Sequence, residues 1–83
     1  MKPEWWVYLV RCCDGSLYCG IAKDVQQRVK RHNAGRGARY TRAHRPVVLV
    51  WCESADSHGA ALRRERQIKG MRRKQKEALI GRG

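Results

Sequence analysis

The chain has 83 residues, 42% of them hydrophobic, and nineteen Lys and Arg against seven Asp and Glu leave a net charge of +12. That length makes one small domain over residues 1–83, with too little chain for two cores. So one-sided a charge repels itself and calls for an anionic partner, nucleic acid before acidic protein, and a membrane is excluded by the lack of a long apolar run or lipidation signal.

The first residues, Met1-Lys2-Pro3-Glu4-Trp5, lack the apolar stretch of a secretion signal, so a cytoplasmic protein is expected. Residues 5–12 and 17–21 are rich in aromatic and β-branched side chains and flank Cys13-Asp14-Gly15-Ser16, the pattern of a β-hairpin. Its register decides where two tyrosines point. A two-residue Asp-Gly loop pairs Cys13 with Ser16 and puts Tyr8 and Tyr18 on opposite faces. A three-residue loop with Gly15 left-handed pairs Cys12 with Ser16 and puts both on one face. The sequence admits either register, and the second is expected because it accounts for the tyrosines. Cys12, Cys13, Cys19 and Cys52 form no Cys-x-x-Cys pair, so free thiols acting as small hydrophobes are expected.

Asp24 caps a helix predicted to run to about Asn33, and Gly35 stops it. Val25, Val29 and His32 make its inner stripe, with Arg28 on the edge of that stripe one turn before His32. Residues 35–45 are glycine-rich and basic and read as a long loop. Pro46 precedes a third strand over residues 47–53, whose continuous apolar run suggests the centre of the sheet. A second helix starts at Asp56 or Ser57 and carries Ala60, Ala61, Leu62, Ile68 and Met71. Gly70 weakens its end, and a short basic helix over residues 74–80 follows. The order β-β-α-β-α-α predicts an α/β chain of the α+β kind, a small antiparallel sheet with helices packed on it.

Glu65 lies on the apolar stripe of its helix, four residues after Ala61 and three before Ile68. A bare buried carboxylate is costly, so it is either paired, with Lys69 at i+4, or holds a hydrated Mg²⁺. Arg28 and His32 together suit a phosphate clamp, the guanidinium binding bidentate and the imidazole donating or carrying a proton. Each alone reads as a solvated cation and a satisfied histidine. Tyr8 and Tyr18 give strands packing area and a polar tip. As a general base, a tyrosine must lose a proton of pKa about 10 and needs a neighbouring cation or a metal-bound water. Gly20 permits close approach or marks a strand bend. The remaining positive charge is nearly of one sign and is interleaved with Tyr40, Thr41 and His44, which suits phosphate-backbone contact. The expected nucleic-acid contacts are Lys23, Arg31, Arg36, Arg39, Tyr40, Thr41, Arg42, Arg63 and Arg66. No recognition-helix or RNA-module signature is present, which argues against direct readout of sequence.

In order and spacing these pieces resemble the GIY-YIG nuclease superfamily, specifically its small stand-alone bacterial members, over residues 5–80 or so. Trp6-Val7-Tyr8 stands at the first signature triplet and Tyr18-Cys19-Gly20 at the second. Arg28 falls at the family's arginine, His32 at the position four later, and Glu65 at its metal-binding glutamate. Gly37-Ala38-Arg39-Tyr40-Thr41-Arg42 and Ala61-Leu62-Arg63-Arg64-Glu65 are similar to segments of the stand-alone subgroup. The resemblance implies a central three-stranded antiparallel sheet and metal-dependent hydrolysis of a DNA phosphodiester. In that scheme Glu65 holds one Mg²⁺ or Mn²⁺, and Tyr8 or Tyr18 orients or deprotonates the attacking water. Arg28 stabilises phosphoryl charge, and His32 assists by hydrogen bonding or proton transfer.

Five positions depart from the family pattern. Trp6-Val7 replaces Gly-Ile, Cys19 replaces Ile, Ile21 stands where many members carry Lys, and Glu77 occupies the region of an asparagine found in larger relatives. The expectation is a cytoplasmic, monomeric DNA endonuclease of little sequence specificity, selective if anything for DNA structure, as in repair or recombination. Its rivals are a non-catalytic nucleic-acid-binding module of the same fold and a basic adaptor for an acidic protein.

Overall fold

The computed structural model describes residues 4–82, so the N-terminal tripeptide considered for secretion lies outside the described residues. Trp5–Arg11 forms strand β1 and Leu17–Ala22 forms strand β2. Between them Gly15 takes φ 87°. Its N–H donates to the Cys12 carbonyl at 2.9 Å, and the Cys12 N–H donates to the Ser16 carbonyl at 2.8 Å. This is the three-residue loop with a left-handed glycine. It sets Tyr8 opposite Gly20 and Val10 opposite Tyr18, so the two tyrosines share a face.

Helix α1, Val25–Asn33, begins where the Asp24 carboxylate accepts from the Gln27 N–H at 3.0 Å. It ends before Gly35, at φ 80°. Asn33 then grips the main chain of Val47, accepting from its N–H at 2.7 Å and donating to its carbonyl at 3.0 Å. That clamp returns the chain to strand β3, Val48–Ala55. The intervening segment, expected to be irregular, contains a five-residue helix α2, Arg39–Ala43. Helix α3, His58–Lys69, is capped by Ser57, whose hydroxyl accepts from the Ala60 N–H at 3.0 Å, and α4 spans Arg73–Arg82.

The three strands form an antiparallel sheet in the order β2-β1-β3. β3 is therefore an edge strand, and the expectation that it lies at the centre is corrected. Its apolar run has a different cause. Leu49 packs toward one face and Val50 and Trp51 toward the other, so both faces are covered although only one edge is paired. The centre is β1, where Val7, Tyr8, Leu9 and Val10 are all buried while Val48 of β3 is 61% exposed.

Two apolar layers result. Tyr8, Val10, Cys12, Ala22, Val25 and Val47 pack between the sheet and α1. Val7, Leu9, Cys19, Ala61 and Ile68 pack on the other face, joined by Met71 from the connection between α3 and α4 and by Leu79 and Ile80 of α4. Arg11 ties α4 to β1 by donating to both carboxylate oxygens of Glu77, at 3.0 and 2.7 Å. Glu77 thus closes the fold. All four cysteines are free thiols, with Cys12 and Cys19 buried. No helix among the described residues is long and apolar enough to cross a membrane.

Candidate active site

A pocket of about 400 Å³ opens at the β2 edge of the sheet, lined by Tyr8, Tyr18, Gly20, Arg28, His32, Arg36 and Glu65 among others. All five residues expected to do chemistry reach it, but from two sides. Tyr8 and Tyr18 lie on the face covered by α1, which also carries Arg28 and His32. Glu65 comes from α3, packed on the opposite face. They meet because β2 has no outer neighbour among the described residues, so a side chain from either layer can reach round it.

The interior of the pocket is a directed chain of hydrogen bonds. The Thr41 hydroxyl donates to the Ala38 carbonyl at 2.9 Å. Its oxygen is therefore the acceptor for His32 Nδ1–H at 2.7 Å. With the proton on Nδ1, Nε2 of the neutral ring is an acceptor, and the Tyr8 hydroxyl donates to it at 2.8 Å. Burial, and secondarily Arg28, lowers the pKa of His32, which keeps the ring neutral at pH 7. Burial, and secondarily Tyr18, raises that of Tyr8 well above the usual phenol range, with Arg28 opposing. Tyr18 instead meets the His32 ring edge-on, with centroids 5.6 Å apart.

Two glycines give this chain its room. A Cβ at Gly20 would collide with the Tyr8 hydroxyl and lie 2.6 Å from Cζ. A Cβ at Gly37 would collide with His32 Nδ1 and lie 2.8 Å from Cε1. Gly20, expected to allow a close approach, allows the approach of Tyr8. Gly37 was not singled out from the sequence.

Glu65 has its side chain 16% exposed, with Lys69 Nζ at 3.5 Å as its ion-pair partner. That distance is at the outer limit of a hydrogen bond and leaves the carboxylate free to take another cation. Among the described residues no group of three His, Cys, Asp or Glu comes together. One carboxylate beside tyrosine hydroxyls suits a hard divalent ion that retains most of its waters, Mg²⁺ or Mn²⁺, and Glu65 is the residue that would hold it. Arg28 takes part in none of the ion pairs found among the described residues, so its charge is available to a substrate.

Of the expected nucleic-acid contacts, Thr41 requires correction. It is 0% exposed and, committed to His32 and Ala38, cannot reach a phosphate. No local pattern marks this role, because Thr41 is nine residues from His32 and meets it only through the reversal at Gly35. The other eight are exposed. Arg36 lines the pocket itself, and Lys23 and Arg31 line a neighbouring recess with Trp5 and Arg28. Arg39, Arg42, Arg63 and Arg66 line neither of these two recesses.

Residues 4–78 match the family model of the GIY-YIG catalytic domain. The chain is 49% identical over 78 residues to a UPF0213 protein of Staphylococcus saprophyticus, covering 94% of this chain and 95% of that one. It is 52% identical over 75 residues to a UPF0213 protein of Staphylococcus aureus, covering 90% and 92%. The solution structure of a UPF0213 protein from Bacillus halodurans superposes with a TM-score of 0.60 at 40% identity, covering 93% of this chain and 82% of that one. That of a protein from E. faecalis gives a TM-score of 0.63 at 34% identity, covering 98% and 85%.

Proposed function

The chain belongs to the GIY-YIG family, whose catalytic domain is that of an endonuclease superfamily, and from that premise we propose that it is a divalent-metal-dependent DNA endonuclease. The observation that carries the proposal is the Tyr8–His32–Thr41 chain ending in a pocket shared with Arg28 and Glu65. A buried tyrosine with a raised pKa is a poor base alone. Hydrogen-bonded to a neutral imidazole, Tyr8 can take a proton from water while passing its own to His32 Nε2. The Nδ1–H bond to Thr41 holds the ring in the tautomer that accepts it.

Arg28, on the rim, places its guanidinium against the charge that develops on the phosphoryl oxygens. Tyr18 orients the water or the phosphate from the neighbouring wall. A divalent ion on Glu65 supplies Lewis-acid charge to the phosphodiester when bound. The exposed basic side chains hold the backbone without reading bases, so sequence specificity is low and any preference concerns DNA structure, as repair or recombination requires. The protein acts as a cytoplasmic monomer in this reading.

The test is nicking of supercoiled plasmid and cleavage of branched, nicked and single-stranded DNA with Mg²⁺ or Mn²⁺. Glu65→Ala is expected to abolish cleavage and Arg28→Ala to reduce it by roughly 10²–10³, while DNA binding survives both. Wild-type protein that cuts no DNA form above those variants leaves a binding module instead. Affinity for B-DNA should fall by roughly 0.9 log units per log unit of salt for each phosphate neutralised. A salt-insensitive interaction overturns both and favours an acidic protein partner.

A further inference from the structure

We infer that the cleft lined by Tyr18 and Tyr40 is a binding site for an unpaired nucleobase adjacent to the scissile phosphate, an inference that rests on the nuclease reading above. The cleft has a volume of about 370 Å³ and is lined by Leu17, Tyr18, Cys19, Tyr40, Lys69 and Lys76. It shares Tyr18 with the candidate active site and follows it along β2: Tyr18, Gly20 and Ile21 face the one, and Leu17, Tyr18 and Cys19 the other. Two residues of strand span about 7 Å, close to one nucleotide of an extended strand.

The chemistry of the walls is that of a stacking platform. Tyr40 is 43% exposed, one of two large hydrophobic side chains so exposed among the described residues. An aromatic ring left in water gains nothing from burial, yet this one is held rigidly. Its hydroxyl donates to Ser16 Oγ at 2.6 Å, and Ser16 Oγ donates to Asp14 at 2.6 Å. His44 stacks on it with centroids 4.3 Å apart. The Tyr18 ring lies nearly parallel to it, at 14° and 6.2 Å. Lys69 and Lys76 come from the opposite layer of the fold and place cations where the sugar-phosphate of a stacked base would run. Glu77 is engaged by Arg11 and Arg73, so among the described residues Lys76 has no acidic partner, while Lys69 is held by Glu65 only at 3.5 Å. Fixed aromatic rings beside a basic track are how single strands are held without sequence readout. In an intact duplex every base is stacked and paired and unavailable to such a cleft. The substrate class that follows is DNA with an unpaired nucleotide next to the cut.

Binding measured by fluorescence anisotropy without divalent ion, in the Glu65→Ala background, tests this independently of cleavage. The probes are a short single-stranded oligodeoxynucleotide, the same strand with abasic nucleotides, and its duplex. Tyr40→Ala should weaken the single strand by roughly tenfold or more and the duplex by less than about twofold, with Tyr40→Trp restoring affinity. The unmodified Tyr40 protein should lose a similar factor when the bases are removed, a comparison that needs no second folded variant, and Tyr40→Ala should add little to it. Equal loss for single strand and duplex, or indifference to abasic nucleotides, overturns the inference. A protein that discriminates bases in this way yet cuts nothing keeps the cleft and loses the nuclease reading.

Discussion

Replacing Thr41 by Val keeps the shape of a side chain that is 0% exposed and removes one hydroxyl. The Ala38 carbonyl is not orphaned, because it still accepts from the Arg42 N–H at 3.0 Å. The group left without a partner is His32 Nδ1–H, in a residue only 1% exposed. An unsatisfied buried donor costs about 1–3 kcal/mol, which in a domain of this size is a fall in Tm of roughly 4–24 °C. The ring can escape that cost only by moving its proton to Nε2, and Tyr8 then loses the acceptor for its own. Cleavage should fall by about 10² or more, the scale of general-base assistance. Thr41→Ser keeps the hydroxyl and should retain most of the rate and stability. Long-range ¹H–¹⁵N correlation of the His32 ring reads the tautomer directly, as Nδ1–H in the parent and a changed pattern in Thr41→Val. A valine variant as stable and active as its parent, or a serine variant that loses as much as the valine, would refute the relay.

Gly20→Ala should cost about 1–3 kcal/mol in urea unfolding by overpacking against Tyr8, and cleavage should fall further than that destabilisation explains, since Tyr8 must leave His32. Arg28→Ala should reduce kcat by roughly 10²–10³ with little change in DNA affinity, as expected for charge developed in the transition state. The acid limb of the rate profile should lie below the ordinary imidazole value of about 6.5, because only neutral His32 accepts a proton. The same depressed pKa binds fewer protons in the folded state than in the unfolded one. Stability should therefore be complete above about pH 6.5 and decline as pH falls toward the folded pKa, and a pH series of melting temperatures with His32→Gln should remove that component.

Local chemistry was legible where one residue decides a local conformation. Asp24 and Gly35 bounded α1, and the start of α3 was narrowed to Asp56 or Ser57, each through a dihedral or a cap that acts within a few residues. Asp14-Gly15 alone admits both hairpin registers, and the shared face of the tyrosines decided between them. The place of β3 was not legible, because apolar residues report covered faces and are silent about paired edges. Helix α2 is too short for periodicity to register. Thr41 looked like its basic neighbours until the turn at Gly35 carried it back under α1. Glu77 illustrates the same limit, since the arginine that holds it is 66 positions away.

The site's division of labour follows from where its polar groups are buried. Tyr8, His32 and Thr41 are all at most 2% exposed and are neutral, and among the described residues no buried side-chain polar atom lacks a partner. A neutral, fully bonded chain is stable in so small a core without an ion pair beside it. The charged members, Arg28 and Glu65, are kept at the rim, where water or Lys69 can solvate them. β1 at the centre fixes Tyr8 with neighbours on both sides, while β2 at the edge leaves the rim open to both helical layers. Pairing another strand to β2 would bring the same residues no closer and would cover the pocket that Arg28 and Glu65 share. In the proposed reading the free edge, which in most small sheets is a liability for aggregation, is the entrance for the phosphodiester, and a net charge of +12 repels like-charged chains while attracting a phosphate backbone.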